Sequence, residues 1–200
     1  DSFSATGNLA TLIAITVDGG TGNDTILGSN GIDLLLGGTG DDFVDGQQGS
    51  DVALLGDGDD LFQWNPGDGS DTVEGGAGAD TMLFFGSNID EDIDIFANGE
   101  RARFFRNVAG VTMDLNDVER IDFRALGGAD DIVVGDLSGT DVTQVEVDLS
   151  GPAGGGDGQQ GGGDRGRDEG AAQGGVGGAR HAAAAVAKRQ LHVGSRGAPR

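Results

Sequence analysis

The chain has 200 residues, a formal net charge of −22, 41 glycines and no cysteine. So acidic a chain repels nucleic acid and anionic membrane surfaces and attracts cations. Absence of cysteine excludes a disulfide framework, a thiolate metal site and a cysteine nucleophile, and no apolar run approaches the ~18 residues of a membrane span.

The charge is unevenly distributed. Residues 1–150 carry 30 of the 34 acidic side chains and 5 of the 12 basic ones, with neither lysine nor histidine. The boundary falls near Leu149-Ser150-Gly151-Pro152. The start, Asp-Ser-Phe-Ser, has neither Met nor a signal peptide, so a fragment of a longer protein is expected. In chain order, residues 1–18 come first. Their LIAITV stretch (12–17) suits a strand leading into Gly19.

A nine-residue repeat follows over 19–83. It reads GGTGNDTIL, GSNGIDLLL, GGTGDDFVD, GQQGSDVAL and LGDGDDLFQ. After two extra residues, Trp64 and Asn65, it resumes as PGDGSDTVE and GGAGADTML. The fourth position is always glycine: Gly22, Gly31, Gly40, Gly49, Gly58, Gly69 and Gly78. The sixth is always aspartate: Asp24, Asp33, Asp42, Asp51, Asp60, Asp71 and Asp80. The eighth is apolar throughout, from Ile26 through Leu35, Val44, Ala53, Phe62 and Val73 to Met82. Repeats 1, 3 and 7 have both leading glycines; the others lack one or both.

This array resembles the glycine-rich nonapeptide of the repeats-in-toxin (hemolysin-type) family, G-G-x-G-x-D-x-U-x with U a large apolar residue. The resemblance implies an all-β fold, a parallel β-roll or β-solenoid. Six residues form a turn, three form a strand, and two repeats complete a coil. It also implies several calcium ions between stacked turns, held by the seven sixth-position aspartates and by backbone carbonyls. The carbonyls would come from Gly20, Gly22, Gly31, Gly38, Gly40, Gly49, Gly56, Gly58, Gly67, Gly69, Gly76 and Gly78.

The chemistry agrees. Calcium takes 6–8 oxygens, and one carboxylate per turn cannot supply them. Backbone carbonyls can, and glycine lets the chain turn them inward with positive φ. Without metal, carboxylates on strands ~4.8 Å apart repel by roughly 3.5 kcal/mol per pair at an effective dielectric near 20. Disorder without calcium and folding with it are expected. The eighth positions should stack into one thin core, weakest at Ala53. Asp42→Ala should lower calcium affinity. Asp45→Ala, at a ninth position, should matter far less.

Residues 84–150 are expected to be a β-rich solenoid continuation or cap, since 89–149 alternate apolar and polar at period two. IDIFA (93–97), RARFF (101–105), VTMDL (111–115), ERIDF (119–123), DIVV (131–134) and QVEVDL (144–149) each read as a strand extending or capping the roll. LGGADDIVV (126–134) loosely echoes the repeat, with Asp130 and Ile132 in equivalent places. Five arginines, Arg101, Arg103, Arg106, Arg120 and Arg124, are expected to neutralise Glu100, Glu119 and Asp122 across strands.

Residues 151–200 keep none of this order. Gly, Ala, Arg and Pro fill 34 of the 50 positions. The segment reads as a disordered or weakly helical tail, its one helix candidate being 181–192. Alternatively it is a frameshifted continuation, since guanine- and cytosine-rich codons specify these four residues. His181 and His192 lie there with no partner ligand in the sequence.

Other motifs fail on inspection. Asp57-x-Asp59 begins like an EF-hand loop, but Leu61 and Asp68 break it. The sequon at Asn23 lies inside a repeat turn. Trp64 is expected to cover the roll rather than bind sugar. Residues 1–150 have no His, Lys or Cys to activate a serine, and although carboxylates for acid–base chemistry are everywhere, no pair stands out from the repeat. The function expected is non-catalytic calcium binding in a secreted or surface-exposed bacterial protein. Resemblance points to export by secretion machinery, although the tail does not look like the family's C-terminal export signal. The alternatives are an accessory part of a secreted protease or lipase, or an adhesin stalk. A protein partner is not indicated.

Overall fold

A computed structural model describes residues 1–10 and 12–151. The expectations for 152–200, helix 181–192 among them, lie outside the described residues. The strands in chain order are β1 (Ser2–Ser4), β2 (Ile15–Thr21), β3 (Thr25–Leu27), β4 (Asp33–Thr39), β5 (Phe43–Asp45), β6 (Val52–Asp57), β7 (Leu61–Trp64), β8 (Thr72–Ala77), β9 (Thr81–Phe85), β10 (Asp92–Asn98), β11 (Arg101–Arg106), β12 (Val111–Asn116), β13 (Arg120–Arg124), β14 (Asp131–Val134) and β15 (Gln144–Asp148).

They form two sheets, as the nonapeptide dictates. Successive repeats fall alternately in one sheet and the other, so each strand pairs in parallel with the strand two repeats on. Ile26 pairs with Val44 and Val44 with Phe62 in one sheet, Leu35 with Ala53 in the other. The Trp64-Asn65 insertion lengthens one coil without breaking register, since Phe62 still pairs with Met82 and Ala53 with Val73. Strands are three residues long at β3 and β5, as the repeat implies. In the other sheet they run further. β4 continues through Gly37-Gly38 because Gly38 pairs with both Gly20 and Gly56.

Every eighth-position side chain is buried, Ala53 included. The thin core is thickened where it would be poorest. Leu55, standing where a glycine is usual, is fully buried, and so is Trp64. Trp64 stacks on Phe84 with centroids 4.0 Å apart, and Phe84 touches Phe104 at 4.3 Å. Trp64 is thus a core residue, its indole N–H donating to the Gly69 carbonyl at 2.7 Å.

Beyond the repeats, β9, β13 and β15 continue the first sheet in parallel. The second sheet changes direction. β12 pairs in parallel with β8, then β12, β11 and β10 form an antiparallel meander, and β14 closes it in parallel with β10. All six strands expected over 93–149 are present. The strand expected over 12–17 is displaced: it begins at Ile15, and Leu12 and Ile13 are exposed. A short run of alternation could not show which residues find a pairing partner. Ile15 finds one, opposite Asp33.

Candidate metal centre

The sixth-position aspartates form two files, one along each side of the roll. All seven are buried. Five of the seven carboxylates reach back to the preceding coil. Asp42 Oδ1 accepts from the Asp24 backbone N–H at 2.8 Å, Asp60 from Asp42 at 2.7 Å and Asp80 from Asp60 at 2.9 Å. On the other side Asp51 accepts from Asp33 at 2.8 Å and Asp71 from Asp51 at 2.9 Å.

The second oxygen is different. In Asp24, Asp42, Asp51, Asp60, Asp71 and Asp80, Oδ2 is buried with no hydrogen-bond partner among the described residues. A buried, unsatisfied carboxylate oxygen is costly, and six in register is a pattern. Asp33 departs from it: its two oxygens take the Ser29 N–H at 2.5 Å and the Ser29 hydroxyl at 3.0 Å.

The free oxygens of Asp24 and Asp42 lie in a recurring cradle. A Cβ on Gly19 would lie 2.7 Å from Asp24 Oδ2 and 2.5 Å from the Gly37 carbonyl oxygen of the next coil. At Gly37 the neighbours are Asp42 Oδ2 at 2.5 Å and the Leu55 carbonyl at 2.4 Å. First-position glycine leaves room where a carboxylate and a carbonyl converge. The second- and fourth-position carbonyls point along the stack instead. Gly20 O lies 2.2 Å from where a Gly38 Cβ would be, and Gly31 O 2.2 Å from that of Gly49.

Positive φ accompanies this packing at Gly20, Gly22, Gly38, Gly40, Gly49, Gly56, Gly58, Gly67, Gly76 and Gly78, but not at Gly31 or Gly69. Gly69 is needed for space alone, since its Cβ would lie 1.2 Å from the Gly49 carbonyl oxygen.

Burial raises the pKa of these carboxyls, to about 8 for Asp51, about 7 for Asp71 and about 6 for Asp80. Asp42 and Asp60 are raised for the same first reason. Repulsion between stacked carboxylates, the cause expected from the sequence, adds to the shift but is smaller than desolvation. A bound cation would relieve both. The donors on offer are hard carboxylate and carbonyl oxygens, a set suited to calcium rather than to a thiophilic metal. Among the described residues no three Asp, Glu, His or Cys side chains converge. Any ion here must draw on the backbone.

Sequence reasoning missed three groups. The first-position carbonyls, Gly37 O and Leu55 O among them, were outside the expected ligand set. Glu91 occupies the sixth position of a degenerate turn, GSNIDE (86–91), hidden by its missing glycine and aspartate. Ser87 holds Glu91 as Ser29 holds Asp33, with N–H and hydroxyl donating at 3.0 and 2.8 Å. The Glu91 N–H donates to Asp130 Oδ1 at 2.9 Å, and Ile93 pairs with Ile132, so the echo at 126–134 is in register. Here a guanidinium supplies the positive charge. Arg106, 4% exposed, donates through Nε at 2.6 Å and through Nη2 to Glu91 Oε1, and through Nη2 to the Ser87 hydroxyl at 2.8 Å. It also lies over Trp64, 5.4 Å from the ring centroid. Glu119 is the third group.

Two expectations need correction. Among the described residues Arg101, Arg106, Arg120 and Arg124 neutralise Glu74, Glu91, Asp114, Asp122, Glu146 and Asp148, but not Glu100 or Glu119. Pairing follows sheet neighbours, which the meander rearranges. Asp45 is also no neutral control. It is buried and accepts from Asn65 Nδ2 at 2.9 Å and from the Gln47 N–H at 2.9 Å.

The fold and these files define a parallel β-roll with carboxylate-and-carbonyl cradles between its coils. Residues 18–53, 27–62 and 67–83 match the family described as RTX calcium-binding nonapeptide repeat (4 copies). This part of the chain is an array of RTX calcium-binding nonapeptide repeats. No curated protein and no solved structure matches the chain. Among the described residues, no helix is long and apolar enough to cross a membrane.

Proposed function

We propose that the array binds several calcium ions and folds as it binds them, as a non-catalytic segment of a secreted or surface protein. The observation that carries this reading is the register of buried Oδ2 atoms with no hydrogen-bond partner. Asp24, Asp42, Asp51, Asp60, Asp71 and Asp80 contribute these oxygens. First-position carbonyls, those of Gly37 and Leu55 among them, are the nearest backbone donors, with the second- and fourth-position glycine carbonyls as further donors. Asp33, already satisfied by Ser29, contributes least. Secretion is supported by physiology: cytosolic calcium is far below extracellular levels, so such a chain stays unfolded until it leaves the cell.

The test is circular dichroism of the full chain in chelator, then on titration with calcium or magnesium. Calcium should convert a disordered spectrum to β. Magnesium should not, because it requires near-octahedral geometry and dehydrates reluctantly. Asp42→Ala should raise the calcium midpoint, whereas Asp18→Ala, at an exposed position, should leave it unchanged. A full β spectrum in chelator at neutral pH would overturn calcium-coupled folding.

A further inference from the structure

The file containing Asp24, Asp42, Asp60 and Asp80 does not end with the repeats. The Asp80 N–H donates to Glu119 Oε2 at 2.7 Å, the bond that each earlier coil makes to the next aspartate. Glu119 is 39 residues further along the chain and belongs to no nonapeptide. It stands in register all the same, because Met82 pairs with Ile121. The loop before β13 is shorter than a repeat turn, and glutamate's extra methylene lets its carboxylate span the gap.

The rest of the cradle is present. A Cβ on Gly75 would lie 2.6 Å from Asp80 Oδ2 and 1.7 Å from the Asp117 carbonyl oxygen. These stand as Asp42 Oδ2 and the Leu55 carbonyl stand at Gly37. Asp117 adopts a left-handed conformation, φ 50°, unusual for a residue other than glycine. Asp80 is fully buried, and its Oδ2 has no hydrogen-bond partner among the described residues.

The contrast with Glu91 is informative. Both glutamates stand in sixth-position roles beyond the array. Glu91 is neutralised by Arg106. Among the described residues no arginine pairs with Glu119. Its neighbour Arg120 turns instead to Asp122 at 3.3 Å and Glu146 at 2.7 Å. One junction carries its own cation; at the other the half-buried Glu119 has no arginine partner among the described residues.

We propose that Asp80, the Asp117 carbonyl and the Glu119 carboxylate form a calcium site outside the nonapeptides, joining the last repeat coil to the segment that follows. This rests on the calcium reading of the array. The test is equilibrium dialysis with radioactive calcium on the full chain, comparing wild type, Glu119→Gln, Glu119→Asp and Asp42→Asn, with Trp64 emission reporting the fold. Glu119→Gln keeps an acceptor for the Asp80 N–H and should bind one ion fewer with an unchanged spectrum at saturating calcium. Glu119→Asp, which retains charge but not reach, should weaken one site at least tenfold. Wild-type ion count and midpoint in both Glu119 variants, with ions lost in Asp42→Asn, would overturn this site alone. A wild-type chain that binds no calcium would overturn the array and this site together.

Discussion

Neutralising Asp51 should stabilise the metal-free protein while weakening its hold on calcium. Asp51 is buried, its Oδ1 takes the Asp33 N–H, and its Oδ2 lacks a hydrogen-bond partner. Its pKa is raised from 3.8 to about 8, chiefly by desolvation. A raised carboxyl pKa means that the metal-free fold binds the proton more tightly than the unfolded chain. Stability is therefore lost as pH climbs from about 4 through about 8. At pH 7, about three pH units above the unfolded value, this amounts to about 4 kcal/mol for Asp51. Asp71 and Asp80, raised to about 7 and about 6, bring the total to about 11 kcal/mol if they act independently. A whole domain is stable by only ~5–15 kcal/mol. Three ions at a thousand times their dissociation constants would restore about 12 kcal/mol. In Asp51→Asn the Oδ1 bond survives, and the new amide loses about 1–3 kcal/mol for want of an acceptor. The net gain without metal is about 1–3 kcal/mol. The assay is Trp64 emission and circular dichroism in chelator at pH 7, scanned from trimethylamine N-oxide to urea, followed by a calcium titration. Asp51→Asn should fold at lower osmolyte and need roughly tenfold more calcium for saturation. If it needs more osmolyte than wild type, the buried carboxylate is not what destabilises the metal-free roll.

The same shifts belong to the metal-free fold, so lowering the pH from 8 toward 5 in chelator should raise its β content; circular dichroism across that range will measure it. Gly37→Ala places a methyl 2.4 Å from the Leu55 carbonyl and 2.5 Å from Asp42 Oδ2, so it should cost about 1–3 kcal/mol in calcium-saturated urea unfolding. Arg106→Gln strands a 1%-exposed Glu91 and should cost about 3–5 kcal/mol at saturating calcium, with most of the loss recovered in the Arg106→Gln/Glu91→Gln double variant.

Much of this architecture was legible in the sequence because it is local and periodic. A nonapeptide with glycine at four, aspartate at six and an apolar residue at eight specifies turn, buried carboxylate and strand within nine residues. Stacking then follows from repetition, as the pairings of Ile26, Val44 and Phe62 show. Period-two alternation likewise located β10 to β15. What only the tertiary structure decided depends on which residues meet from far apart in the chain. One distinction is local instead: Ser29, four residues before Asp33 in the same repeat, satisfies that aspartate, whereas Asp42 Oδ2 has no hydrogen-bond partner among the described residues. Asp45 lies outside the consensus, yet Asn65 of the next coil buries it in a hydrogen bond. Glu91 and Glu119 lie outside the array, and only the register of β10 and β13 brings them into the sixth-position role, one against Arg106 and the other against Asp80. A carboxylate's chemistry is set by what lies across the coil from it. That neighbour is 15 to 39 residues away, beyond the reach of a nine-residue pattern.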